Sequence, residues 1–536
     1  MYYKKGNGFM INHNITNITN QENRIIQIFE KKEPRKMNIN SSKDDLKRKE
    51  ANMNNNKISQ KITTEEIATW KNKVVTITAP TGAGKSHFIK NNLYDYAKEK
   101  GERILMLIHR LNCIEQFQME LEKENKLDII DIKTYQSNEY YRLPKDFDFN
   151  QYQYIVCDEF HYFLSDSNFN SKTEVSLKRI LGAENATKIF LSATSKNMKN
   201  YITDILKVET VDYNFPYDYS FINKLTFYYS TDYIEKYIEK IIESGDKAIF
   251  FIQSATKGYE LYKKYDKHTI YNCGKSDKHY KYVEKEKITN MLRNERFDEQ
   301  ILITTTCLEA GVNIKDTQLK HIVLDVEDID VMLQCIGRKR IQGELDKVNL
   351  YIHTLNNQQL GGKITRLKNM LIPAQYLLHN GQNEYTNKYG REKRPNLTYS
   401  EVQDDRPIFK VNMVMLYKTM CDIGLYQKMI EKKYCKYISE LFGNKKYPVE
   451  EKLVSYRELK LILEEFKNKK LFKAEKKLLI NNINVRVSGR QQRSYRSLNQ
   501  GLEWLGLPYI IIPKRTRHER FWIIEEIEDN NDDRIA

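Results

Sequence analysis

Short, continuous runs of Ile, Val and Leu recur along this chain in two successive series, separated by stretches with helical character. The first series occupies 74–79, 103–108, 129–133, 154–157 and 188–192. After a break near 214–218 the pattern restarts at 225–229, 248–252, 301–305, 321–324 and 348–352. A strand with one wet face alternates apolar and polar side chains, whereas a run apolar throughout is buried on both faces. That burial is found where helices cover both sides of a parallel sheet. The pattern therefore predicts an α/β protein with βαβ units built twice. At 536 residues the chain is too long for a single core, which agrees with two or three domains.

The flanks differ in composition. Residues 1–62 form an Asn- and Lys-rich leader, with 12 Asn in the first 60 residues and little apolar periodicity, and are expected to be disordered. Order is expected from Thr63-Thr64-Glu65-Glu66, a capping-box pattern opening a short helix that ends near Trp70. The expected divisions are a first lobe at 63–215, a second at 220–357, a helical region at 361–460 and a basic module at 461–528. No stretch approaches the roughly 18 consecutive apolar residues of a membrane helix, so no membrane partner is expected. The seven cysteines stand singly, without a C-x-x-C pair, which suits free thiols in a reducing cytoplasm and offers no metal cage. The net charge of +16 points toward a polyanion, although an AT-rich genome would also enrich Lys. Its distribution is more informative. Residues 467–520 hold 14 Lys or Arg against 3 Asp or Glu, an excess of 11.

The run at 74–78 feeds Ala79-Pro80-Thr81-Gly82-Ala83-Gly84-Lys85-Ser86, after which a helix is expected to run toward Tyr96. This is a P-loop with Ala at its first Gly position. Small residues let backbone N–H groups wrap phosphates, and the helix N-terminus adds its positive end. Lys85 is placed to reach the β- and γ-phosphates of ATP, and Ser86 to ligate Mg²⁺. Some seventy residues on, Tyr154-Ile155-Val156-Cys157-Asp158-Glu159-Phe160-His161 delivers two carboxylates to the carboxyl edge of a sheet, where ligands of open α/β sheets bind. Asp158 would hold Mg²⁺, and Glu159 would polarise the attacking water.

These residues resemble the superfamily 2 helicases. Asp158-Glu159-Phe160-His161 is similar to their DExH box, and Ser192-Ala193-Thr194 to motif III. His109-Arg110-Leu111 resembles motif Ia, and Thr134-Tyr135-Gln136 the nucleic-acid-contacting motif Ic. In the second half, residues 248–252 resemble motif IV, and Thr305 through Leu308-Glu309-Ala310-Gly311-Val312-Asn313 motif V. Gln334-Cys335-Ile336-Gly337-Arg338-Lys339-Arg340 resembles motif VI. The resemblance spans about 64–356 and implies two tandem RecA-like lobes with ATP between them. It implies catalytic roles for Asp158, Glu159, His161, Arg338 and Arg340, and nucleotide contacts from Gly311, Asn313 and Gln334 beside the P-loop. It also implies nucleic-acid contacts from His109, Arg110, Thr134, Gln136 and Thr305. Motif VI departs from the family, because Arg340 stands at the usual Gly position and Ile341 at the final Arg. Either Arg338 acts alone or Arg340 substitutes. No adenine-reading glutamine motif precedes Trp70, unlike the DEAD-type RNA helicases.

In the last third, helices are expected at 409–429 and 473–483, and another from Ser497 as N-cap to Gly506 as terminator. Strands at 509–512 and 521–524 would flank a basic tip containing Lys514, Arg515 and Arg517, in the outline of a winged helix that neutralises phosphates. The implied function is ATP-dependent movement on or unwinding of nucleic acid, with DNA favoured over RNA. Two alternatives remain: an ATP-gated clamp, or the motor subunit of a nuclease complex.

Overall fold

The computed structural model describes residues 57–139, 148–309, 312–390, 397–403, 406–450, 456–483, 485–487, 490–504, 507–516 and 519–527. Most of the expected leader, together with Gly311 and Arg517, lies outside the described residues. The chain divides into two compact units. One comprises residues 1–225 and 234–446, and the other 226–233 and 447–536.

Six parallel strands build the first lobe: β1 (Val74–Thr78), β2 (Ile104–Ile108), β3 (Ile130–Thr134), β4 (Tyr154–Asp158), β5 (Thr187–Ser192) and β6 (Thr210–Asn214). Their order, β3-β2-β4-β5-β1-β6, places β1 and β4 on either side of β5, so the loops after all three share one edge. β2 is buried along its whole length, as its uninterrupted apolar character requires, and β5 is equally buried although Thr187, Lys188 and Ser192 stand at its ends. β6 was not expected. It pairs only with β1, lies at the edge and is largely polar, so its signal is weak.

The second lobe contains β7 (Ile222–Tyr228), β8 (Lys247–Ile252), β9 (Thr269–Asn272), β10 (Ile301–Thr304), β11 (Leu319–Asp325) and β12 (Val348–His353), in the order β7-β12-β11-β8-β10-β9. The unexpected β9 is a four-residue edge strand, too short for its Ile270 to stand out. Around 400 the structure corrects an all-helical expectation. β13 (Thr398–Gln403) and β14 (Arg406–Val411) form an antiparallel hairpin. The helix expected from 409 starts at Met413, where Asn412 accepts from Met415 N at 3.1 Å as its cap, so Phe409 belongs to β14.

The helical stretch Asn357–Tyr389, two helices that meet at a kink at Gly381 (φ 76°), follows β12 out of the second lobe, yet it is packed into the core of the first. Leu371, Ala374, Leu377, Tyr385 and residues 413–417 share one apolar cluster with Leu105, Tyr162, Phe190 and Tyr201. Tyr417 meets Tyr201 at 5.2 Å between ring centroids, and Asn412 Nδ2 donates to Ser167 O at 3.4 Å.

In the second unit, the two-residue β15 (Val449–Glu450) pairs with Phe227 and Tyr228. Helices Tyr456–Phe466, Lys473–Ile483 and Tyr495–Trp504 pack with a hairpin of β18 (Tyr509–Arg515) and β19 (Arg520–Glu526), and β16 (Arg486–Val487) pairs with β17 (Arg490–Gln491). Leu471 forms an antiparallel bridge with Trp522, so a third short segment joins the hairpin. The last helix begins before Ser497. Ser494 Oγ accepts from Ser497 N at 3.1 Å, which makes Ser494 the cap. Lys514 and Arg515 lie at the end of β18, not in the turn. Among the described residues no helix is long and apolar enough to cross a membrane.

Candidate active site

The loop between β1 and helix Lys85–Phe88 turns through Gly82 (φ 89°) and Gly84 (φ 90°), a left-handed region where a Cβ would be strained. Phe88 N donates to Gly84 O at 2.8 Å and starts the helix at that point. Lys85 Nζ donates to Ala79 O at 3.2 Å and stands 3.4 Å from Glu159 Oε1. Ala83 is buried, whereas Thr81 is half-buried and Gly82 and Ser86 are open to solvent.

β4 ends at Asp158, and Glu159 follows with φ 49°, an unfavourable conformation for a side-chain-bearing residue. Phe160 N donates to Leu191 O at 3.1 Å and pins the turn to β5. Strain held by surrounding structure is common where a side chain must be aimed, and Glu159 is aimed at Lys85. Burial alone would raise the Glu159 carboxyl. Lys85, the hydrogen bond to His161 and the Arg338 charge outweigh it and hold the group well below the usual carboxylate range. Burial, reinforced by the Glu159 charge, pushes Asp158 up to about 7.

His161 joins the two lobes. Its Nε2 is 2.9 Å from Gln334 Nε2, and its Nδ1 is 2.9 Å from Ser192 Oγ. Because an amide nitrogen only donates, Nε2 must accept, and the proton belongs on Nδ1. Ser192 Oγ then donates to Glu159 Oε2 at 3.2 Å. One directional relay runs from Gln334 through His161 and Ser192 to Glu159. Sequence spacing marks Ser192 only as part of its triplet. Its place in the relay depends on β5 lying beside β4.

Motif VI follows helix Ile329–Ile336, which Asp328 caps by accepting from Val331 N at 3.1 Å. Arg338, 6% exposed, donates to Gln334 O at 3.1 Å and Val312 O at 3.2 Å, and its charge also acts on Glu159 of the first lobe. Lys339 is equally enclosed. Its Nζ is 2.5 Å from Asp346 Oδ2 and donates to Asp316 O at 2.8 Å, so it ties the loop down. Arg340 reaches the P-loop. Its Nε donates to Asn313 Oδ1 at 2.7 Å, and its Nη1 lies 3.3 Å from where a Cβ on Gly82 would be. Burial, then the Arg338 charge, lowers the Arg340 guanidinium to about 10. The P-loop and motif VI touch directly, since a Cβ on Gly337 would lie 2.2 Å from Thr81 Oγ1. Asn313, Gln334, Arg338 and Arg340 are thus gathered opposite Lys85, Asp158, Glu159 and His161.

The other sequence-marked residues are more dispersed. His109 follows β2, and its Nε2 accepts from Arg110 Nε at 2.9 Å, while its Nδ1 is buried without a partner. Burial, then the charges of Arg110 and His161, lower its imidazole to about 3. Thr134 caps the turn Tyr135–Asn138 through Ser137 N at 3.1 Å, with Gln136 half-buried beside it. Thr305 is 8% exposed and accepts from Cys307 N at 3.4 Å, so its hydroxyl is turned inward. An aromatic pair the sequence does not single out sits underneath. Tyr135 stacks on Tyr162 at 4.6 Å and donates to Asp158 O at 2.9 Å, linking the turn after β3 to the turn after β4.

Two family models match the chain: the type III restriction enzyme res subunit over residues 32–197 and the helicase conserved C-terminal domain over 232–341. No curated protein matches it in sequence. Solved structures with similarity include the Mycobacterium smegmatis helicase Lhr bound to ssDNA and AMP-PNP, at 14% identity and TM-score 0.39, covering 57% of this chain and 46% of Lhr. The DEAD-box helicase Mss116 bound to ssRNA and UDP-BeF shows 16% identity and TM-score 0.42, covering 58% of this chain and 71% of Mss116. S. cerevisiae Dbp5 bound to RNA and ADP BeF3 shows 13% identity and TM-score 0.40, covering 73% of this chain and 88% of Dbp5. One of these two family models falls on each parallel-sheet lobe.

Proposed function

We propose that the chain is an ATP-dependent DExH-type helicase or translocase that acts on nucleic acid in the cytoplasm. The observation that carries this reading is the Gln334–His161–Ser192–Glu159 relay, which links motif VI of one lobe to the carboxylate of the other. A clamp without turnover would have no use for so constrained a Glu159, which favours the enzyme over that alternative.

The residues present suit ATP and Mg²⁺. The left-handed Gly82 and Gly84 leave the loop without Cβ atoms where phosphates pack. Asp158 and Glu159 are adjacent carboxyls with Lys85 as the nearby cation, an imbalance that a divalent ion would relieve. Among the described residues no three His, Cys, Asp or Glu gather as a metal cage. Ser86 and Asp158 would hold Mg²⁺, with phosphate oxygens completing its shell. The ion would neutralise charge on the transferring phosphoryl group.

Lys85 leaves Glu159 to pair with the β- and γ-phosphates, and Glu159 then orients the attacking water. Arg340 reaches the P-loop from the facing lobe, with its Nη1 3.3 Å from where a Cβ on Gly82 would be, so it supplies the stabilising charge as an arginine finger. Such groups contribute roughly 10³ to 10⁵ in rate. Arg338 holds the motif VI turn that aims it. Arg110, Thr134 and Gln136 mark the track for the strand, with His109 and the inward-turned Thr305 supporting it from beneath and exposed Lys514 and Arg515 adding phosphate contacts. DNA is favoured over RNA, because the sequence has no glutamine motif and ends in a winged-helix-like module. ATP hydrolysis measured with single-stranded DNA, duplex DNA and RNA tests the reading. Lys85→Ala should abolish turnover, and Glu159→Gln should bind ATP but hydrolyse it slowly. Unchanged turnover in either variant overturns the assignment.

A further inference from the structure

Helix Tyr495–Trp504 turns Leu498, Gly501 and Leu502 into the core of the second unit and leaves Arg496, Gln500 and Glu503 exposed. These three repeat at spacings of four and three, and exposed Arg493 precedes them by three. Arg496, Gln500 and Glu503 form one stripe along one face of the helix, and Arg493 lies just before its cap. The stripe is held rigidly. Asn499 clasps Ile511 of β18 by both its amide groups, donating to Ile511 O at 3.0 Å and accepting from Ile511 N at 2.8 Å. Gly501 is packed so closely that a Cβ there would lie 2.3 Å from Val485 Cγ2.

The side chains of the stripe match base edges. A guanidinium fork fits guanine O6 and N7, a glutamine amide fits adenine N6 and N7, and a carboxylate accepts from cytosine N4. The sequence from 467 to 520, which contains this helix, carries an excess of 11 positive charges, and that complements a polyanion. A helix about 10–12 Å across enters the roughly 12 Å major groove of B-form DNA, whereas the major groove of A-form RNA is too narrow. We propose that this face reads base sequence in double-stranded DNA, with Lys514 and Arg515 on the flanking phosphates, so that the motor engages DNA at chosen sites. The proposal rests on the reading of the chain as a nucleic-acid motor and names the substrate it seeks.

The test is selection by the full-length protein from a pool of randomised DNA duplexes, followed by binding to the selected duplex, a scrambled one and a duplex RNA of the same sequence. The expected result is one enriched motif, with each altered base pair costing roughly tenfold or more in affinity. Arg496→Ala with Gln500→Ala should bind selected and scrambled DNA equally, while the variant's ATP hydrolysis on single-stranded DNA stays at the wild-type level. Enrichment of no motif, an unchanged motif in the double variant, or equal binding of duplex RNA would each overturn the proposal. ATP hydrolysis stimulated by single-stranded DNA separates the two readings. Its absence alongside an enriched motif would defeat the motor and leave the sequence-reading face standing.

Discussion

Gly337 of the second lobe meets Thr81 of the P-loop so closely that a β-carbon on Gly337 would come within 2.2 Å of the threonine hydroxyl. No rotamer of Thr81 relieves the whole overlap, because its Cβ is also only 3.0 Å away. Gly337→Ala should therefore wedge the lobes apart. ATP binding to the P-loop should persist while kcat drops at least tenfold, a transition-state loss and not a binding loss. Steady-state kinetics with a nucleotide-binding titration measure both, and a normal kcat would show that hydrolysis does not need this contact.

The two arginines of motif VI should separate in kinetics. Arg340→Ala is expected to cost two or more orders of magnitude in turnover with little change in ATP affinity, because its guanidinium lies against Gly82. Arg338→Ala should also slow turnover, but it should lower the thermal stability of the second lobe as well, because its guanidinium satisfies the Gln334 and Val312 carbonyls. Equal kinetic losses with unchanged melting for both would contradict this division.

His109 predicts a pH dependence of stability. Its folded pKa is depressed to about 3, below the value of about 6.5 for an unfolded chain. The unfolded state therefore binds the extra proton between those values. The stability contributed is complete above pH 6.5 and is lost as pH falls toward 3. From pH 7.5 to 5.0 this one group should cost about 2 kcal/mol. Denaturant titrations of wild type and His109→Asn at both pH values measure it, and identical slopes with pH would remove His109 as the cause.

Lys514→Ala with Arg515→Ala should weaken nucleic-acid binding without altering basal ATP hydrolysis. Each lost phosphate contact should flatten the slope of log affinity against log salt by about one unit. A salt titration decides this, and unchanged slopes would leave the two side chains as solvated strand ends, Lys514 paired with Glu525 at 3.1 Å.

The two parallel sheets were legible because their central strands are apolar on both faces, as β2 and β8 are nearly throughout. β6 and β14 were not, since a polar edge strand and a hairpin strand running into a helix carry little or mixed periodicity. The P-loop and the Asp158-Glu159 pair could be read from local order, because each is a run of residues adjacent in the sequence. The choice between Arg338 and Arg340 could not. It depends on which way a buried turn faces, and Lys339 with Asp346 sets that turn through a contact invisible in the motif. Ser192 likewise gains its role from strand order.

The helix that leaves β12 and embeds itself in the opposite lobe has a kinematic consequence. The lobes are joined by the segment between β6 and β7 and again by helix Asn357–Tyr389, whose far half is fixed in the first lobe's apolar cluster. A body tethered at one point swings in any direction, but a body tethered at two turns about the line through both. Each cycle of such a machine would be a door's swing on two hinge pins, and the stroke would have its direction fixed by where those pins are set.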